Sequence, residues 1–257
     1  MTTPILKKVA LMVLALLVCS EAQTHETNSE ADTKPNHAGN PEAKSASNDH
    51  HAFVHPFVAH MGMPDEPGEV SLRLMSIQER NTGATTGGYG FHLEAGVIDS
   101  LGLHLRNDNV ATHNRTEMML QYAVLKSESG QNGLSLIGEV EFPTGATTDN
   151  QSKGLFGVSF AYSLSSVLNV DSVVHYSPDE KMVEWEIGFV SRLTENIFPV
   201  VEFRGESSKD MSITNSLFAW KFKLPNNNSI GIGYQIPTTA KRDYDSQLIL
   251  QAEFNFN

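Results

Sequence analysis

The chain ends on a strict alternation. Leu248, Leu250, Ala252, Phe254 and Phe256 are apolar, and Ile249, Gln251, Glu253 and Asn255 between them are mostly polar. Successive side chains of an extended strand point to opposite faces, so this stretch has one apolar and one wet face. A chain that closes this way, after many similar strands and behind an export signal, is expected to fold as a transmembrane β-barrel.

The same pattern recurs from Val70 onward, at a spacing of about 12 to 20 residues, and twelve strands can be counted. Tyr89, Phe91, Leu93, Ala95 and Val97 alternate with Gly90, His92, Glu94 and Gly96, and a tight turn at Asp99-Ser100 leads into Leu101, Leu103 and Leu105 against His104 and Arg106. Phe156, Val158, Phe160, Tyr162 and Leu164 face away from Gly157, Ser159, Ala161 and Ser163, and a turn is expected at Ser165-Ser166. The first strand is less regular, because Met75 and Ile77 break its rule. With 257 residues the chain has room for one barrel and an appendage. After its first residues it contains no apolar run of about 18, which excludes a bundle of membrane helices.

Lys7 and Lys8 precede the apolar run Val9 to Val18, and Ser20-Glu21-Ala22 offers small residues where a signal peptidase reads, so residues 1–22 read as a cleaved secretory signal. Cys19 is the sole cysteine. Cleavage after Ala22 leaves a cysteine-free chain, whereas a lipoprotein signal would use Cys19 as first residue, which Val18 before it fits poorly. The net charge of −12 argues against nucleic acid as a partner.

Residues 23–68 lose all periodicity and are rich in Asn, Glu, Ser, Ala, Lys, Pro and His, the composition of a flexible, disordered arm, here in the periplasm. Its second half holds His50, His51, His55 and His60 with Met61 and Met63 around Phe53, Val54, Phe57 and Val58. Imidazole and thioether suit copper, and imidazole alone suits zinc, so a metal-capturing arm is one reading. The other is a linker whose apolar residues dock on the barrel or in its mouth.

Alternation alone does not separate a soluble barrel, apolar inside, from a membrane barrel, apolar outside. Three features favour the membrane. Longer connections are expected after strands 3, 5, 7, 9 and 11, notably 143–154, 207–215 and 237–246. Aromatic residues gather near strand ends, with Tyr89, Phe156, Tyr176 and Phe218 towards one rim and Tyr162, Phe222, Phe254 and Phe256 towards the other. The apolar face of strands 2 to 12 carries no charge. Against this, the wet face also holds Met119, Ile137, Leu155, Val173 and Val190.

Residues 69–257 are therefore expected to form an all-β, closed, antiparallel up-and-down transmembrane barrel of about 12 strands in the outer membrane, its wall against outer-membrane lipid. Its wet face would place Glu94, Arg106, Glu139, Glu141, Asp171, Glu186, Arg204 and Lys221 in the lumen, with acidic groups predominating. Glu186 with Arg204 and Glu202 with Lys221 are expected as cross-strand pairs. A lumen rich in carboxylates favours cations and polar neutral solutes.

The signal, the strand count and the stretch Leu136-Ile137-Gly138-Glu139-Val140-Glu141-Phe142-Pro143-Thr144-Gly145 entering a loop resemble the outer-membrane transporters associated with the meta-pathway of phenol degradation. That resemblance implies movement of small solutes and insertion by the barrel-assembly machinery; the chain departs from such barrels where Asn257 follows Phe256. The expected function is a passive channel, linked to metal if the His/Met arm binds copper or zinc. A non-conducting structural or binding barrel is the alternative. An outer-membrane phospholipase-like enzyme is disfavoured, because His92, His104 and His175 all fall on the lumen side.

Overall fold

The computed structural model describes residues 53–108, 115–127, 132–144 and 151–256. Twelve strands run in chain order: β1 (Val70–Asn81), β2 (Ala84–Ile98), β3 (Leu101–Asn107), β4 (Arg115–Lys126), β5 (Gly133–Pro143), β6 (Lys153–Ser165), β7 (Leu168–Ser177), β8 (Met182–Ser191), β9 (Ile197–Ser207), β10 (Ser212–Lys223), β11 (Ser229–Pro237) and β12 (Ser246–Phe256). Each pairs with its sequence neighbours, and β12 pairs antiparallel with β1, from Val70 opposite Phe256 to Arg80 opposite Ser246. The sheet is a closed up-and-down barrel without edges, which lets its backbone groups be satisfied where lipid offers no partner.

The strand faces follow the alternation of the sequence. Tyr89, Leu120, Phe156, Phe218, Ile232 and Phe256 point outward and are exposed, whereas Arg73, Gln121, Ser135, Lys221 and Glu253 point inward and are buried. An exposed apolar belt around a polar interior is the inverse of a soluble barrel and identifies an outer-membrane type of wall. Met75 and Ile77 keep the phase of Ser71 and Arg73 and so lie inside.

The connections are less unequal than expected. On the rim away from the chain ends, 108–114, 144–152 and 238–245 are the long ones, but 178–181 and 208–211 have four residues each. The strands extend further than their apolar cores suggest: β9 reaches Ser207 and β10 starts at Ser212, consuming most of the loop expected at 207–215. Thr82 and Gly83 both adopt positive φ in the two-residue β1–β2 turn, which matches the right-handed twist of the hairpin. The β6–β7 turn lies at 166–167, one residue later than the alternation suggests.

Residues 53–67 lie inside this cylinder. The segment enters at the rim that carries the chain ends, where Phe53 sits under the Arg192 guanidinium, 5.6 Å from ring centroid to cation. It rises to His60 and returns through Gly62 and Pro64 to Pro67, which bridges to Gly96 before β1 begins.

Candidate functional site

The site is the junction of this plug with the lumen wall. Phe57 and Val58 form a buried apolar cluster with Met75, Ile77, Val190, Phe198, Val200, Leu217, Ala219 and Ile249, so the irregular apolar residues of the wet face are where the plug seats. The Phe57 ring lies over Gly231 and Gly233 of β11, where a side chain would occupy its space. Gly62 passes so close to the Phe160 carbonyl of β6 that a Cβ could not be accommodated.

A segment without regular structure must satisfy its backbone by other means, and the wall supplies them. The Glu202 carboxylate accepts from the backbone N–H groups of Phe57, Val58 at 2.9 Å and Ala59 at 3.0 Å. Glu186 accepts from His60 N and Asp171 from Gly62 N, both at 2.9 Å. Arg73 donates to Pro56 O at 3.1 Å, Lys221 to His55 O at 3.0 Å, Gln121 to Met61 O at 3.0 Å and Ser159 to Gly62 O at 3.0 Å, while Gln251 donates to Phe57 O. With Ser135 at Gly62 O, Glu94 beside His55, Arg106 beside His60 and Phe57 over β11, every one of the twelve strands touches the plug.

Two plug histidines are held differently. His55 Nδ1 lies 2.6 Å from Glu253 Oε1, with Asp65 at 3.8 Å and Glu94 at 3.9 Å. Burial would lower its pKa, but these carboxylates, Glu253 above all, push it up to about 9. His60 Nδ1 lies 2.9 Å from Glu186 Oε2, and Arg106 Nη1 lies 2.6 and 3.0 Å from its two ring nitrogens. Burial, with Arg106 beside it, pushes the His60 ring down to about 3, so it is neutral at ordinary pH. In the β3–β4 connection, burial would raise Asp108, yet Arg106 and Arg204 at 2.9 Å each outweigh it and hold the carboxyl well below the usual range.

Above His60 the lumen opens into a vestibule of about 360 Å³ on the side away from the chain ends. Asp108, Glu117, Glu139, Glu141, Glu184 and Glu206 are among nine carboxylates of the described residues that line it, against Arg106, Arg115, Lys153 and Arg204. Glu117 stands opposite Glu141 and Glu184 opposite Glu206 in register, two like-charge pairs of a kind that destabilises a sheet.

All eight lumen residues expected from the sequence face inward, but they divide. Glu94, Asp171, Glu186 and Lys221 engage the plug; Glu139, Glu141 and Arg204 line the vestibule; Arg106 does both. The expected pairing of Glu202 with Lys221 is not formed: Leu217 is opposite Glu202, and Lys221 pairs with Glu253 at 2.6 Å. Glu186 does stand opposite Arg204, yet the ion pairs are Arg204 with Asp108 and Glu186 with Arg106 at 3.2 Å. Of the expected metal ligands, His50 and His51 lie outside the described residues. His55 and His60 are drawn to different carboxylates, and Met63 packs with Ala123 and Ala161. Met61 is buried, with its carbonyl held by Gln121. Glu202, Gln121, Gln251 and Ser159 were not expected as plug contacts; the signal that could have found them is the set of apolar residues sharing their wet face.

No family model matches the sequence, and no curated protein matches it. Solved structures share the fold. An outer membrane channel from Pseudomonas putida F1 is 11% identical over 79% of this chain and 100% of its own, with a TM-score of 0.55. The KdgM porin is 9% identical over 73% of this chain and 99% of its own, TM-score 0.54, and the NanC porin 12% identical over the same shares, TM-score 0.52. The likeness is one of fold.

Proposed function

We propose that this chain is a passive outer-membrane channel for small solutes that favours cations and polar neutral molecules, in which residues 53–67 are a movable plug. The observation that carries this reading is the vestibule: an excess of carboxylates, including like-charge pairs set opposite each other, costs stability that a resident or passing cation offsets. The twelve-stranded architecture shared with porins supports a transport role. One structure of the KdgM porin is in complex with oligogalacturonate; the acidic vestibule here opposes so anionic a ligand. The arm before Phe53 lies in the periplasm, a reading supported by the emergence of the segment at the rim of the chain ends. The assignment to the transporters associated with the meta-pathway of phenol degradation rests on the Leu136–Gly145 stretch and the strand number and forms part of this proposal.

Reversal potential in planar bilayers under a KCl gradient tests the reading. Cation preference is expected, and preference for chloride overturns it. A second reading, a closed barrel that binds a ligand without passing it, is favoured by the plug's contact with all twelve strands. Absence of conductance from both the full chain and a chain lacking residues 23–66 would select it. Catalysis on the outer wall finds no support, since His92, His104 and His175 are buried on the lumen side.

A further inference from the structure

Donors from the plug and the wall converge where His60 meets the vestibule floor. The His60 ring and the Glu117 and Glu139 carboxylates each offer an atom, all within 4.8 Å of one another. Two further observations point to a ligand. Glu139 is 4% exposed, and its Oε2 is buried without a hydrogen bond. His175 is 5% exposed; its Nδ1 lies 3.3 Å from that oxygen, and its Nε2 is buried with no partner. His175 therefore stands behind Glu139 and orients its carboxylate, as a neighbour of a metal-ligating carboxylate does. The His175 and His60 rings stand edge to face, 5.7 Å between centroids.

We propose that His60, Glu117 and Glu139 bind one divalent ion of the zinc class, with His175 orienting the Glu139 carboxylate, and that the ion ties the plug to the barrel wall. An imidazole nitrogen with carboxylate oxygens matches zinc rather than a softer ion, which would ask for sulfur. Arg106 now lies against the His60 ring and Glu117, the latter at 3.1 Å. When the ion takes their lone pairs, the guanidinium keeps Asp108 at 2.9 Å and Glu186 at 3.2 Å. Two ligands come from β4 and β5 and one from the plug, so binding links plug position to the ion. The proposal does not require the barrel to conduct.

The full-length protein, folded in detergent, is titrated with zinc chloride by calorimetry. One ion per chain at a Kd of about 10 μM or tighter is expected. His60→Gln, Glu139→Gln and His175→Gln should each weaken binding by about 10- to 100-fold. His60→Gln lies outside the hydrogen-bonded wall, so retention of heat-modifiable mobility on a gel separates loss of the site from loss of the barrel. Zinc should slow amide exchange across residues 57–62 in the parent and not in Glu139→Gln. Binding no tighter than about 100 μM overturns the proposal. So does tight binding that survives both His60→Gln and Glu139→Gln, or that disappears only when His50 and His51 are replaced. Unchanged exchange with zinc bound overturns the tying role.

Discussion

His55 carries a contact that a change of pH can break. Its imidazolium faces Glu253 on β12, Glu94 on β2 and Asp65 on the returning limb of the plug, with Lys221 at its carbonyl and Arg73 at the next one. Because its folded pKa of about 9 lies above the ordinary 6.5, its contribution to docking is complete below about 6.5 and is lost as pH rises through 9. The shift corresponds to a contribution on the order of 3 kcal/mol at the acid end of that window. Amide exchange within residues 56–62 should therefore accelerate between pH 6.5 and 9 beyond the intrinsic base catalysis, and His55→Gln should flatten that excess. An excess of equal size in the variant would show that another group titrates. Gly62 makes a second prediction at this scale. An added methyl would meet the backbone carbonyl of Phe160, which cannot swing away as a side chain can. Gly62→Ala should unseat the returning limb and raise conductance while far-UV circular dichroism keeps its strand signal. A parent-like conductance would mean that the limb shifts without releasing the plug.

At the scale of elements, wall and plug are specified by different physics. The strands were legible because a period of two records which side of a membrane wall each residue faces, and the pairing of β12 with β1 follows from closure. Their ends were less legible, since polar residues such as Ser207 and Ser212 continue the ladder without continuing the apolar pattern. The plug has no period to read. Its place depends on convergence of Glu202, Asp171, Gln121 and Gln251 from distant strands, and alternation states a side chain's face but not its partner. Lys221 illustrates this: its face was evident, whereas its pairing with Glu253 and its bond to His55 O depend on barrel shear and on the plug. Met75, Ile77 and Val190 were the available clue, because an apolar side chain in a wet lumen needs a cover, which Phe57 and Val58 provide. Removing residues 23–66 should leave a closed barrel, as no strand pairing among the described residues involves this segment, but with several-fold higher conductance and a lower melting temperature. Loss of the barrel itself would make the plug part of the folding unit.

At the scale of the whole molecule, the charge is arranged as a gradient of compensation along the barrel axis. In the half nearest the chain ends, wall charges meet cations or plug backbone: Glu253 has Lys221 and His55, Glu94 has Arg73, and Glu202 has three N–H groups. In the other half compensation thins. Arg115 reaches Glu141 at 3.0 Å and Arg106 reaches Glu117, but Glu184 and Glu206, directly opposite each other, form no ion pair among the described residues. Such a pair repels by about 0.2–1 kcal/mol in a sheet. Replacing both by Gln should therefore make the barrel slightly more stable by that order, while reducing the potential that draws cations into the vestibule. The reversal potential under a KCl gradient should move towards zero in the double variant, most at low salt. At about 0.1 M salt the screening length is ~10 Å and the pair acts across the vestibule; at about 1 M it falls to ~3 Å and parent and variant should converge. A gain in stability without a change in selectivity would place the ion path away from β8 and β9. A loss of stability would mean that the two carboxylates hold a shared proton or a cation whose removal leaves the wall less satisfied.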